Sequence, residues 1–134
     1  MKIVATIDFS TTSESILKNT AIYAKIFDAE VFLIHAEPIK FTKNSEELDH
    51  TQEAVMLKKD ARALEKVGVK VTPVFLEGPV CETIMKEAQR LEADLIIVGA
   101  HGHGGAHCKT PVGDISECIL LHSRIPVLIV PCEL

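Results

Sequence analysis

Tryptophan is missing from this 134-residue sequence, tyrosine occurs once, and aromatic residues make up only 4%. A flavin carrier needs flat rings to stack on its cofactor, so that class is poorly supplied here. The segment Ser10-Thr-Thr-Ser13, which could hold a flavin phosphate, also lacks the glycine expected of such a loop. Long apolar runs are absent too, and nothing approaches the roughly twenty residues that span a bilayer as a helix. The start, Met1-Lys-Ile3, runs straight into a strand pattern, without the charged and apolar regions of a secretory signal. Cysteines stand at 81, 108, 118 and 132, with no C-x-x-C pair. These omissions predict a cytoplasmic protein with reduced thiols, Cys81 and Cys118 lying in helices and Cys132 beside the last strand as small buried hydrophobes. Neither a G-x-S-x-G elbow nor a Walker A lysine occurs, so hydrolase and P-loop NTPase chemistry lack their nucleophile or phosphate-gripping cation. A receiver-type phosphorylation switch would need a lysine after the last strand, where Pro131-Cys132 stands, although Glu77 could serve as its middle acid.

A strong excess of positive charge is also lacking. The formal net charge is −5. The one basic group, Lys58, Lys59, Arg62 and Lys66, follows a solvated helix face, which speaks against a nucleic-acid partner. What the chain does have is apolar residues at 47% and charged ones at 25%, enough to fill a core and solvate a surface. At this length one domain is expected, over residues 1–134.

Short β-prone runs alternate with helical patterns. Ile3–Ile7, Val31–Ala36, Val69–Leu76, Asp94–Val98 and Pro126–Val130 read as strands. The first helix opens at Thr11-Thr-Ser-Glu14, the form of a capping box, and carries Ile16, Leu17, Thr20, Ala21, Ala24 and Phe27 at helical spacing. The second bears Ala54, Leu57, Ala61 and Leu64 and ends at Gly68 as a C-cap glycine would. The third opens at Gly78-Pro79 and buries Val80, Ile84, Ala88 and Leu91. The fourth is written in Ile115, Ile119 and Leu120. Pro73 inside the third strand places it at a sheet edge, and the nearly all-apolar fourth strand is expected to be covered on both faces. Strand–helix alternation with short connections predicts an α/β doubly wound parallel sheet of five strands in the order 3-2-1-4-5. Ligands of such sheets lie beyond the carboxyl ends of the strands at the reversal, here Asp8 and the loop from Gly99. The glycines at 99, 102, 104, 105 and 113 let backbone approach a ligand, and a helix starting near Gly113 would aim N–H groups at an anion.

Val98-Gly-Ala-His-Gly102, followed after a spacer by Gly113-Asp-Ile-Ser116, resembles the nucleotide-binding pattern of the universal stress protein family. Thr6-Ile-Asp-Phe-Ser10, Leu33-Ile-His-Ala36 and Ile125-Pro-Val-Leu-Ile-Val130 resemble that family's first, second and last strand motifs. The resemblance implies an adenine nucleotide alpha hydrolase-like fold and an adenine nucleotide ligand, AMP or ATP. It also implies positions. Asp8 lies near the ribose or a phosphate-bound metal such as Mg²⁺, Ile7 is a nucleotide-binding position beside it, and the main chain of Ala36 meets the adenine edge. Val98, Gly99, His101 and Gly102 line the sugar and phosphates, while Gly113, Asp114, Ile115 and Ser116 hold the outer phosphates.

Two features depart from the family pattern. The spacer from His103 to Val112 holds ten residues rather than nine, and Asp114 stands where Ser or Thr is expected. Asp114-Ile-Ser-Glu117 has capping-box form, so its carboxylate is expected to cap the last helix as well as repel phosphate. An empty phosphate site, a less charged ligand such as AMP, and a triphosphate offset by Mg²⁺ all remain open. His101, His103, His107 and Cys108 form a second cluster of zinc-type donors, but the spacing matches no standard site, and a solvated loop is the expectation. No catalytic set is visible; slow ATP hydrolysis would need a metal on Asp8. The reading is a cytoplasmic stress-response binding module, or alternatively one acting through protein contacts without nucleotide. Its charge-free last strand, 126–130, has an unprotected edge and predicts a homodimer.

Overall fold

The computed structural model describes residues 1–9, 13–39, 51–100 and 113–131. The strands are β1 (Lys2–Thr6), β2 (Glu30–Glu37), β3 (Val71–Glu77), β4 (Leu95–Gly99) and β5 (Val127–Val130); the helices are α1 (Ser13–Phe27), α2 (Gln52–Lys66), α3 (Val80–Arg90) and α4 (Asp114–His122). The strands form one sheet in the order β3-β2-β1-β4-β5, and every pairing is parallel. That is the expected topology, with Pro73 on an edge strand, where a missing N–H costs no ladder bond.

Side chains alternate across each strand and so divide the core in two. Ile3, Ala5, Ile7, Val31, Leu33 and Ile97 face Ile16, Ala24, Leu57, Ala61 and Leu64 from α1 and α2. Val4, Ile34, Ile96 and Val98 face Ile84, Ala88 and Ile119 from α3 and α4. Both faces are therefore covered, as the unbroken apolar run of β4 requires.

Local signals set the ends of the elements. Gly68 has φ of +90° and donates to Glu65 O, while Val69 N–H reaches back to Leu64 O, a Schellman closure of α2 that a left-handed residue makes possible. Thr51 caps the other end, its hydroxyl accepting from Ala54 N–H at 3.2 Å. Thr11 and Thr12 of the expected first cap lie outside the described residues.

Three expectations are corrected. Phe27, counted in the buried stripe of α1, is 46% exposed, and of the fourth helix's apolar residues only Ile119 is buried, Ile115 and Leu120 facing out. A nine-residue helix packed beside the sheet edge has too few turns to bury more than one apolar row. Cys81 and Cys118 are not free thiols: they form a disulfide between α3 and α4, their Cα atoms 6.3 Å apart. The two helices cover the same sheet face, which brings positions far apart in sequence within bonding distance.

Candidate functional site

Parallel pairing sends β1 and β4 in the same direction, with Ile3 opposite Leu95 and Ala5 opposite Ile97. Their carboxyl ends therefore open side by side, and the chain leaves them to opposite faces of the sheet. The resulting crevice has a volume of about 180 Å³. Ile7, Asp8, Ala36, Val98, Gly99, Gly113, Asp114, Ile115 and Ser116 all line it. Every described residue picked out from the sequence is thus brought to one place, although these residues come from four separate segments. His101 and Gly102 lie outside the described residues, as does the zinc-type cluster His101, His103, His107 and Cys108. Among the described residues no group of three or more His, Cys, Asp or Glu side chains is placed to hold a metal.

Four wall residues were not singled out: Thr6, Ile16, Val80 and Ile84. Each reads in sequence as ordinary strand or helix core. Only the sheet order reveals that the first turns of α1 and α3 close the crevice from both sides. A feature of this chemistry, an apolar wall with a few convergent polar groups, is typical of small-molecule sites.

The two ends of the glycine-rich segment are fixed together. Gly113 N–H donates to Ala100 O at 2.6 Å, and Ala100 N–H donates to Val130 O at 2.8 Å, so Ala100 and Gly113 are held side by side at the end of the sheet. Ser116 Oγ donates to Gly99 O, which ties the first turn of α4 to the end of β4. Asp114 does not cap that helix. Gly113 is the N-cap, with extended backbone and no side-chain hydrogen bond to the first turn, and Asp114 is the first helical residue. The capping-box pattern fails because the turn begins one residue earlier than its spacing requires. The first-turn N–H groups are consequently free of side-chain partners from a cap, while the Asp114 carboxylate lies where the helix dipole favours negative charge.

The turn after β1 is held by a buried histidine. His35, 6% exposed, donates from Nδ1 to Ile7 O at 2.9 Å, and its Nε2 lies 3.2 Å from Glu37 Oε2. Phe9 and Phe75 pack on its ring, with centroids 4.6 and 5.4 Å away. Phe9 has φ of +63°. A bulky side chain in that left-handed region costs on the order of 1–2 kcal/mol, which the ring contact with His35 helps to offset. This strained turn aims Asp8 at the crevice. The signal for it, Leu33-Ile-His-Ala36, was legible as a motif, but the partner of the imidazole was not.

The model of the universal stress protein family matches residues 1–131. Universal stress protein MJ0531 of Methanocaldococcus jannaschii is 33% identical over 96% of this chain and 81% of its own length. Universal stress protein MJ0577 of the same organism is 30% identical over 96% of this chain and 93% of its own. Among solved structures, that of the universal stress protein from Archaeoglobus fulgidus in complex with dAMP superposes with a TM-score of 0.77 at 20% identity, covering 96% of each chain. With the sheet order, the crevice and these likenesses in agreement, the chain belongs to the universal stress protein family.

Proposed function

We propose that this chain is a cytoplasmic stress-response protein that binds an adenine nucleotide in the crevice between β1 and β4, with AMP-type ligands preferred over ATP. The observation that carries this reading is the convergence of nine site residues on one crevice whose far end is a helix N-terminus without a side-chain cap. Apolar walls from Ile16, Val80, Ile84 and Val98 suit a purine, and the N–H groups at the start of α4, which has no side-chain cap, suit a phosphate. The dAMP-bound family member supports the ligand class.

Asp114 sets the discrimination. Its carboxylate stands at the phosphate end of the crevice and is exposed, so each added phosphate charge meets it. Asp8 lines the same space, and two carboxylates are the oxygen donors that Mg²⁺ accepts; with Mg²⁺ bound, ATP would be less disfavoured. The sequence carries neither a G-x-S-x-G elbow nor a Walker A lysine, and the reading is accordingly a binding module, with slow metal-dependent hydrolysis as the most it would do. Replacing Asp114 by Ser removes the charge. ATP affinity should then rise about tenfold, equivalent to about 1.4 kcal/mol, while AMP gains less. Calorimetry with AMP and ATP, with and without Mg²⁺, makes the comparison; tight Mg²⁺-free ATP binding by the parent protein would refute the role given to Asp114.

A second reading has an observation of its own. Ile115, Leu120 and Leu121 are 43, 47 and 68% exposed on α4, beside the edge strand β5. Such a patch favours contact with protein, including a second copy paired along β5.

A further inference from the structure

Cys81 is the second residue of α3 and Cys118 the fifth of α4, and the bond between them joins the two helices whose first turns line the crevice. Val80 and Ile84 form the crevice wall on one side of the bond, and Gly113 to Ser116 form it on the other. Among the described residues, α4 has few other anchors. Ile119 is its one buried apolar side chain among the described residues, and beyond that it has the Ser116 hydroxyl on Gly99 O and the Gly113 N–H on Ala100 O. A helix of nine residues does not persist in water without tertiary support. We propose that Cys81 and Cys118 form a reversible thiol–disulfide site that fixes α4 and so sets the shape of the crevice and its affinity. The identity of the ligand in this proposal rests on the nucleotide reading above.

The chemistry balances with a low-molecular-weight disulfide, RSSR, as oxidant. Cys118 is half-buried whereas Cys81 is 8% exposed, so an outside reagent meets Cys118 first. The Cys118 thiolate attacks one sulfur of RSSR and expels RS⁻, leaving a mixed disulfide. The Cys81 thiolate then attacks the Cys118 sulfur and expels the second RS⁻. Two protein thiols lose two electrons and two protons; RSSR gains the electrons, and the two RS⁻ groups take up the protons as RSH. In a reducing compartment the dithiol is the resting form, and a rise in oxidant closes the bond.

With the bond closed, both walls stand in the ligand-ready arrangement. With it open, that arrangement is a fraction of the ensemble, and apparent affinity falls by that fraction. A fraction of about one-tenth weakens binding about tenfold. Linkage then requires the ligand to favour the disulfide by the same factor, making its reduction potential about 30 mV more negative.

The test uses the full chain treated with oxidised glutathione or with dithiothreitol, its thiols counted after unfolding. AMP binding is measured by calorimetry in both states, and amide hydrogen exchange of residues 113–122 is measured in both without ligand. We expect AMP to bind about tenfold more tightly to the oxidised protein, and exchange in 113–122 to quicken on reduction while β1 is unchanged. The variant Cys81→Ala/Cys118→Ala should match the reduced protein whichever reagent is present. A pair that stays reduced in excess oxidised glutathione, unchanged exchange, or equal AMP affinity in the two states would each overturn the proposal. Failure of AMP to bind either state, with the exchange response intact, would support the thiol site and refute the nucleotide reading instead.

Discussion

Removing the Cys81–Cys118 bond tests the architecture as well as the site. The two cysteines are 37 residues apart in sequence, so the bond closes a loop that spans most of α3, all of β4 and the glycine-rich segment. In the chain-entropy description a loop of that length restricts the unfolded ensemble by about 13 cal/mol/K, or about 4 kcal/mol at 25 °C. Replacing both cysteines by Ala also removes two sulfur atoms from the α3–α4 contact, a further loss of the same sign at the buried Cys81. For a chain of 134 residues the entropy of unfolding is about 280 cal/mol/K, so about 4 kcal/mol corresponds to a fall in Tm of about 14 °C. Calorimetric melts of the oxidised protein, the reduced protein and Cys81→Ala/Cys118→Ala give the comparison, and the last two should agree within a few degrees. Urea titration supplies a second measure, in which the midpoint falls. A loss of stability below about 1 kcal/mol would refute the reasoning, because the loop would then be already constrained in the unfolded chain or α4 would contribute nothing to the cooperative unit.

Gly78 has φ of +144°, and a Cβ there would stand 2.6 Å from Thr83 Oγ1, whereas Gly68 has φ of +90° with open space around it. Gly68→Ala should therefore cost about 1 kcal/mol from backbone strain alone, and Gly78→Ala clearly more, as measured by urea unfolding; equal costs would refute the packing argument. Burial raises the Asp60 carboxyl above its ordinary value of 3.8, with neighbouring Lys59 partly countering it. The protonated form is thus the one favoured by folding, and its contribution is full below pH 3.8 and lost as pH rises through the higher folded value. Asp60→Asn should accordingly be more stable than the parent at pH 7 and lose that advantage below pH 3.8; an advantage independent of pH would contradict the assignment. Light scattering should report a dimer paired along β5, with Val127→Lys shifting it to monomer through a charge on the edge strand; a parent protein that is monomeric at micromolar concentration would count against the interface.

How much was legible in the sequence follows from how local each signal is. Pro73 marked an edge strand because proline lacks an N–H wherever it stands, and Gly68 marked a helix end because only a residue tolerant of positive φ closes a Schellman turn. The apolar runs of β1 and β4, alternating with helical stripes, determined the parallel doubly wound sheet, since right-handed crossovers leave few other arrangements. With the sheet order came the switch point, and so Asp8, Gly99 and Gly113 could be placed at one crevice before any coordinates. Tertiary structure alone decided which side chains meet across the chain. The bond between Cys81 and Cys118, the closure of the crevice by Ile16, Val80 and Ile84, and the hold of His35 on Ile7 all join segments whose separation in sequence carries no information on distance. The cap of α4 fell to Gly113 rather than Asp114 for the same reason: the hydrogen bond from Gly113 to Ala100, set by the sheet, fixes where the helix begins.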